Sequence, residues 1–189
     1  MRRDGCDHIV DMVMDTGEID FRLHKIHAHV GIAAVKRAQP LLQDAVALIV
    51  GNDEEGIKKN IYNNSIYKEK IHFVNFTDKP EQYMAAADLF CLPSYREGFG
   101  MAAVEAGSCG LPVITSRIYG LTDAVEEGVT GLMHSPGDVE ELKKLIEYLI
   151  KNKNIMKILG SKSIKRNNFK FSNHLVEKNF VNYLQETVK

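Results

Sequence analysis

Two glutamates and two glycines within one short segment are the residues of this chain best suited to chemistry. Glu97 opens the turn Gly98-Phe99-Gly100, and Glu105 follows eight positions after Glu97 in a run compatible with a helix. A glycine-bearing turn that leads into a helix presents free backbone N–H groups and the positive end of the helix dipole, and such an arrangement binds anions. Carboxylates on both sides of an anion site favour a ligand with phosphates and hydroxyls, such as a nucleotide sugar.

The elements that must position this segment alternate along the chain. Apolar runs at 45–50, 71–74, 89–92, 111–114 and 131–133 predict strands, and residues 29–38, 54–67, 81–87, 101–109, 155–165, 175–187 and a stretch from Asp138 predict helices. This alternation predicts an α/β fold, a Rossmann-like, mostly parallel sheet with helices on both faces. Ligands of such sheets bind beyond the carboxyl ends of the strands, and the Glu97 turn follows one of those ends.

Composition narrows the class of protein. The chain has 189 residues and a formal net charge of −1, so it suits one domain and has no general attraction to nucleic acid. Its apolar runs are shorter than the ~20 residues of a membrane span. Cys6, Cys91 and Cys109 are too widely spaced for a disulfide framework or a zinc motif, which favours a reducing cytoplasm. We predict an irregular or incomplete segment over 1–27 and one nucleotide-sugar-binding domain with C-terminal helices over 28–189.

Each candidate residue also has a plain structural interpretation. A glutamate before a helix stabilises the helix dipole, and Gly98 and Gly100 could serve only as turn glycines. The small residues around Glu105 suit close packing of a helix on a sheet. A carboxylate in such surroundings costs free energy unless it is paired, which favours a ligand-facing role.

Histidines and lysines form two further groups. His24, His27 and His29 do not share one helix face, so surface positions are preferred to a metal site, with a role near a ligand phosphate as the alternative. The basic stretch 143–170 predicts a solvated helix surface or attraction to an anionic membrane or lipid phosphate. It lacks the interleaved aromatic residues and the modules of nucleic-acid-binding proteins.

Several motifs in one order carry a resemblance to a known family. They are Gly51 after a strand, Phe76-Thr77, residues 83–88, residues 92–100, Glu105, residues 110–113, residues 128–132 and residues 136–138. With these motifs, residues 45–189 resemble the C-terminal half of family 4 retaining glycosyltransferases, the half that binds the donor sugar in their two-domain GT-B fold. Residues 116–121 are most similar to bacterial enzymes that assemble capsule, O-antigen and related surface glycans.

The resemblance implies a role for each matching residue. Glu97 is expected to be catalytic by positioning the donor sugar, and Glu105 is expected to accept hydrogen bonds from the ribose. The loop with Thr77 is expected to lie against the nucleobase. The substrate-binding residues are then Thr77, Gly98, Phe99, Gly100, Met101, Glu105, Arg22 and Lys25, with the backbone of 98–101 facing sugar and diphosphate.

Arg22 and Lys25 are interpreted as the phosphate-binding pair. The family has Gly-Arg-Leu followed by Lys-Gly, whereas here Phe21 and Ile26 stand in place of the glycines. Members work without a metal or another cofactor, and the resemblance implies none here. The charge of the leaving group would be stabilised by the helix N-terminus and basic side chains.

The activity implied is transfer of a hexose or acetamidohexose from a nucleotide diphosphosugar to a glycan or polyprenyl-linked acceptor. UDP is the preferred nucleotide and GDP the second. No part of the sequence resembles the family's acceptor-binding N-terminal domain, so we expect an acceptor-domain partner chain and a cytoplasmic protein, with peripheral contact at the inner membrane face as a further expectation. The alternatives are a fragment of a longer product, a nucleotide-sugar-binding subunit and a truncated remnant without activity. A dinucleotide-dependent oxidoreductase is disfavoured because no strand is followed by G-x-G-x-x-G.

Overall fold

The computed structural model of the chain describes residues 31–33, 47–51, 58–59, 63 and 71–187. The predicted irregular segment 1–27, with Arg22 and Lys25, lies outside the described residues. Residues 58, 59 and 63 are helical, in agreement with the helix predicted over 54–67.

A six-stranded sheet organises the described residues. Its strands are β1 Gly31–Ala33, β2 Ala47–Val50, β3 Ile71–Val74, β4 Phe90–Leu92, β5 Val113–Ser116 and β6 Gly131–His134. They are ordered β3-β2-β1-β4-β5-β6. Strand β1 is antiparallel to β2 and β4, and the other pairs are parallel. The prediction of a mostly parallel sheet is confirmed.

The helix predicted over residues 29–38 is wrong over 31–33, because Gly31–Ala33 is strand β1. Ile32 lies opposite Ile49 of β2 and opposite Cys91 of β4. Strand β1 therefore takes backbone partners on both sides. Pairing with distant strands outweighs the local helical pattern, as is common for short strands.

Helices cover both faces of the sheet. They are α1 Pro80–Ala86, α2 Met101–Ser108, α3 Leu121–Ala124, α4 Val139–Lys151, α5 Lys153–Lys170 and α6 Asn173–Thr187. Successive strand residues enter opposite cores: Cys91 and Ile114 pack with α4 and α5, whereas Phe90 and Val113 pack with α2 and α3. This alternation is the period of two expected for a strand buried on both faces. None of these helices is both long and apolar enough to cross a membrane.

A modified capping box begins α4. Asp138 Oδ1 accepts a hydrogen bond from the Glu141 N–H at 2.8 Å, as expected of an N-cap. Glu141 Oε2 reaches past Asp138 and accepts from the Ser135 N–H at 2.6 Å. This bond to the backbone lowers the pKa of Glu141. Both bonds fix the loop that follows β6.

Helix α5 holds α2 at close range. Asn167 Nδ2 donates to Val104 O at 2.7 Å and to Ser108 Oγ at 3.2 Å. A Cβ on Gly107 would lie 2.6 Å from Ser163 Oγ and 2.8 Å from Asn167 Nδ2. The missing side chain at Gly107 lets the two backbones approach, so α5 sets the position of the helix that carries Glu105.

Candidate functional site

Five strands end along one edge of the sheet. Because β1 is antiparallel to both neighbours, β2 and β4 point the same way, and β2 to β6 all end at this edge. The segments that follow β3 to β6 lie along this edge: 75–79, 93–100, 117–120 and 135–138. This is the edge at which α/β sheets bind ligands. The predicted site residues that the structure describes lie in 75–79, in 93–100 or on α2.

Residues 97–100, which we call the glycine loop, rest on the segment that follows β5. Gly120 has a φ of +89°, and a Cβ there would lie 2.5 Å from Gly98 O and 2.8 Å from Glu97 O. A Cβ on Gly100 would overlap the side chain of Leu121. The glycine loop therefore packs closely against the start of α3, and neither Gly100 nor Gly120 has space for a side chain.

Gly100 is the N-cap of α2, with a left-handed φ of 72° and ψ of 46°. A non-glycine residue pays a steric cost in this conformation. No side chain of the described residues caps this turn, and Met101 is 57% exposed. Ala103 N–H and Val104 N–H donate to Gly100 O, so the N–H groups of Met101 and Ala102 are left at an open edge where an anion can bind.

Glu97 is held in place by a residue that the sequence analysis missed. Ser94 Oγ donates a hydrogen bond to Glu97 Oε1 at 2.9 Å, and Ser94 itself is buried. The bond orients one carboxylate oxygen from the end of β4. The available signal was a hydroxyl residue three positions before the glutamate and directly after the strand.

Glu105 lies on the exposed side of α2, while Ala103 and Ala106 pack into the core. Partial desolvation raises the pKa of Glu105, and the nearby Glu81 carboxylate raises it further. Hydrogen bonds from ligand hydroxyls would favour its ionised form. The helix thus separates the small residues that pack from the carboxylate that faces out.

The loop after β3 offers an aromatic ring. Thr77 Oγ1 accepts a hydrogen bond from the Lys79 N–H at 3.1 Å, so its oxygen shapes its own loop. Phe76 is 75% exposed and presents a face on which a planar base could stack. Strands β2 and β1 separate β3 from β4, so about 14 Å of sheet lies between the two loops. An extended ligand would be needed to reach both.

Arg117 is a cation at the same edge, but it is already paired. Its Nε donates to Glu127 Oε2 at 3.2 Å, and its Nη2 donates to Glu127 Oε1. The pKa of Arg117 is raised chiefly by the hydrogen bond to Glu127. This two-point pairing satisfies the guanidinium internally. Within the described ranges, no group of three or more His, Cys, Asp or Glu side chains is placed to hold a metal ion.

His134 is a buried histidine at the end of β6. Its Nδ1 lies 2.8 Å from Ser135 O, and its Nε2 lies 3.4 Å from Ser116 Oγ. A carbonyl only accepts, so Nδ1 carries the proton and Nε2 is the acceptor for the Ser116 hydroxyl. Burial lowers the pKa of His134 below 6.5.

Acidification should therefore destabilise the fold through His134. Between the lowered pKa and pH 6.5, His134 binds a proton in the unfolded chain but not in the folded protein. The contribution of neutral, buried His134 to the free energy of unfolding is therefore complete above pH 6.5. It declines as the pH falls from 6.5 through the depressed pKa. The denaturation midpoint should fall over this window, and His134→Gln should flatten the slope. Exposed His174→Gln is the control; the same slope in His134→Gln as in the parent would contradict this assignment.

The predicted site residues do not all lie in one place. Glu97, Gly98, Phe99, Gly100 and Met101 form the glycine loop and the first residue of α2, Glu105 lies farther along α2, and Thr77 lies on the loop after β3. Arg22 and Lys25 lie outside the described residues. Their assignment to the diphosphate stays a prediction.

Comparison with known sequences identifies relatives of the chain. A sequence model of the glycosyl transferases group 1 family matches residues 22–166, which is more than half of the chain. The capsular polysaccharide biosynthesis glycosyltransferase CapM of Staphylococcus aureus is 28% identical over 131 residues, which cover 68% of this chain and 34% of CapM. D-inositol 3-phosphate glycosyltransferase of Mycobacterium bovis (strain BCG / Pasteur 1173P2) is 44% identical over 66 residues, which cover 35% of this chain and 14% of that enzyme.

Solved structures show the same fold. Alr3699/HepE of Anabaena, solved in complex with UDP, superposes with a TM-score of 0.70 and 26% identity, covering 75% of this chain and 41% of HepE. A glycosyltransferase of Rickettsia africae ESF-5 has a TM-score of 0.72 and 20% identity over 78% of this chain and 41% of its own. This is the fold of GT-B glycosyltransferases. The chain spans about a third of the length of CapM. Because the family model matches residues 22–166, the chain belongs to the glycosyl transferases group 1 family.

Proposed function

We propose that the chain is the donor-binding half of a retaining glycosyltransferase. It transfers a hexose or acetamidohexose from a nucleotide diphosphosugar to a glycan or polyprenyl-linked acceptor. The observation that carries the proposal is the start of α2, where a left-handed glycine N-cap faces an open edge beside Glu97. The solved complexes of HepE with UDP and with UDP-glucose support UDP as the nucleotide, with GDP as the second choice.

The start of α2 supplies the electrostatics of the proposed reaction. The bond between the anomeric carbon and the diphosphate oxygen breaks, and its electron pair stays on that oxygen. The acceptor hydroxyl oxygen forms the new bond on the same face of the sugar, and its proton passes to the departing diphosphate oxygen. The N–H groups at the start of α2 stabilise the departing diphosphate, and the proposed reaction uses no resident metal or other cofactor. Arg22 and Lys25 are proposed to add positive charge.

A second half is proposed to bind the acceptor. The chain corresponds to 34% of CapM and 41% of the HepE chain, so we place the acceptor site in a domain of the same polypeptide or of a partner chain. We place the reaction in the cytoplasm, because widely spaced cysteines suit a reducing compartment. A lipid-linked acceptor would bring the protein to the inner membrane face, and α5, which has lysines and no acidic residue, supports contact with anionic lipid.

Glu105→Ala should weaken UDP binding by about 1.5–3 kcal/mol, the free energy of a hydrogen bond to a charged group. The reason is the loss of the carboxylate that would accept from the ribose hydroxyls. Calorimetric titration measures the effect. Glu81→Ala is the matched control, because it removes a nearby exposed carboxylate without removing the ribose acceptor. Unchanged affinity in Glu105→Ala, or an equal loss in Glu81→Ala, would remove the ribose role.

Glu97→Gln should weaken UDP-glucose binding more than UDP binding. The substitution keeps the size of the side chain and its acceptor for Ser94, but it removes the charge near the proposed sugar position. Paired titrations of parent and variant with the two ligands give the ratio of affinities. A variant that loses the same free energy for both ligands would show that Glu97 does not contact the sugar.

A further inference from the structure

We propose that Phe171 and Arg166 are positioning residues for the glycine loop. They fix the Phe99 ring and, through it, the backbone that faces the donor sugar. The identity of the ligand as a donor sugar rests on the proposed function, whereas the contacts of Phe171 and Arg166 do not depend on it. Both residues lie in the C-terminal helical region, more than 60 positions from the glycine loop in sequence.

Phe99 is the side chain that can anchor the middle of the glycine loop, because its neighbours Gly98 and Gly100 have none. The Phe99 and Phe171 rings meet edge to face, with centroids 5.4 Å apart and planes at 79°. This is a preferred geometry for an aromatic pair, and it stabilises beyond the area that it buries. Phe99 keeps 36% exposure, so its other side remains open at the strand-end edge.

Phe171 is itself fixed by the end of α5. Its N–H donates to Asn167 O at 2.8 Å, and its ring packs against the core cluster that contains Val104 and Leu121. Asn167 in turn donates to Val104 O of α2. The Phe171 ring therefore has a defined position relative to the helix that the glycine loop begins.

Arg166 contacts both neighbours of the glycine loop, the Phe171 ring and helix α3. Its Cζ lies 5.1 Å from the centroid of the Phe171 ring, within the range of a cation–π interaction. Its Nη1 donates to Ala124 O at 2.8 Å, and its Nη2 donates to Asp123 O at 2.7 Å. Its Nε lies 3.5 Å from Glu126 Oε2, an ion-pair distance.

Arg166 thus satisfies carbonyls at the end of α3, whose first turn touches the glycine loop. The side chain of Arg166 is 11% exposed, and its bond to Ala124 O is partly buried, where a hydrogen bond is stronger than in water. One guanidinium fixes α3 under Gly98 and Gly100 and fixes Phe171 beside Phe99. Amides that are ordered before binding need no ordering by the ligand, and this raises affinity.

Hydrogen exchange of the ligand-free chain tests the inference directly. In Phe171→Ala, the amides of Ala103 and Val104, which donate hydrogen bonds to Gly100 O, should exchange about three- to tenfold faster, which is the range expected for one aromatic pair. Phe169→Ala is the matched control, because Phe169 lies two residues earlier, in the last turn of α5, and is 77% exposed. Phe171→Tyr should restore slow exchange, since it keeps the ring. Unchanged exchange at Ala103 and Val104 in Phe171→Ala would overturn the proposal, as would equal acceleration at the amides of β5.

A double variant and Arg166→Lys sharpen the test. If the rings act as a pair, Phe99→Ala with Phe171→Ala should exchange no faster than Phe99→Ala alone. Arg166→Lys keeps the charge but lacks the planar fork, so it should accelerate exchange at Ala103 and Val104 and at the end of α3 together. Additive acceleration in the double variant, or exchange in Arg166→Lys equal to the parent, would contradict the proposed coupling.

Titration with UDP-glucose separates this inference from the proposed function. A parent chain that binds no nucleotide would contradict the proposed function, while the exchange result would still decide the positioning role. A parent that binds, with Phe171→Ala binding equally well and exchanging equally slowly, would overturn the positioning role alone. The expected result is weaker binding by Phe171→Ala in proportion to its faster exchange, with Phe169→Ala unchanged.

Discussion

Gly120→Ala should lower the free energy of unfolding by about 3 kcal/mol and abolish nucleotide binding at the start of α2. The φ of +89° at Gly120 is costly for alanine, and the added Cβ would meet Gly98 O at 2.5 Å and Glu97 O at 2.8 Å. Both atoms belong to the backbone, so the glycine loop itself must move. Chemical denaturation measures the first effect, and calorimetric titration with UDP measures the second.

Gly98→Ala is the matched control for Gly120→Ala. A Cβ on Gly98 would have no neighbour within 4 Å among the described residues, and its φ is outside the left-handed range. The stability of this variant should equal that of the parent. An unfolding free energy for Gly120→Ala equal to that of Gly98→Ala would show that the glycine loop does not rest on Gly120.

Gly160→Ala should lower the free energy of unfolding by about 2 kcal/mol, although alanine is normally the better helix former by about 1 kcal/mol. Gly160 lies inside α5, and a Cβ there would overlap Gly110 O. A backbone oxygen cannot rotate away as a side chain can. Helix α5 would have to move outward, and with it the contacts of Asn167 and Arg166 with the rest of the fold.

Ser161→Ala is the control for Gly160→Ala, because it places alanine at the adjacent exposed position of the same helix. Its stability should be unchanged within about 0.5 kcal/mol. Thermal and urea denaturation of the three proteins give the comparison. A Gly160→Ala protein as stable as Ser161→Ala would disprove the close approach of α5 to Gly110.

Local sequence pattern was sufficient to predict strands that are apolar runs, because such runs are visible without knowledge of their partner strands. The predicted strands 45–50 and 71–74 contain β2 and β3, because short runs rich in apolar residues mark both. Strand β5 begins two residues later than predicted and includes Thr115 and Ser116, which are fully buried. A pattern of apolar residues cannot identify buried hydroxyls, so the prediction ended at Ile114. Helix α3 was missed because its four residues are too few for a helical period.

The glycine loop and its glutamates were predictable because they are contiguous in the sequence. Residues 97–100 and the start of α2 stand where the motif placed them. Ser94, Arg166 and Phe171 were not predicted, since their contacts with this region depend on tertiary packing. Phe99 and Arg166 are 67 positions apart in the sequence, and no local pattern signals this packing. Assignment of Arg22 and Lys25 to the diphosphate stays a prediction.

Calorimetric titration of the chain with UDP, GDP and ADP tests the central claim most directly. A cooperatively folded chain should bind UDP saturably and at one site, because the start of α2 and Glu105 would hold its diphosphate and ribose. Circular dichroism on the same sample confirms the folded state. A folded chain that binds none of the three nucleotides would contradict the assignment of the strand-end edge as a nucleotide-sugar site.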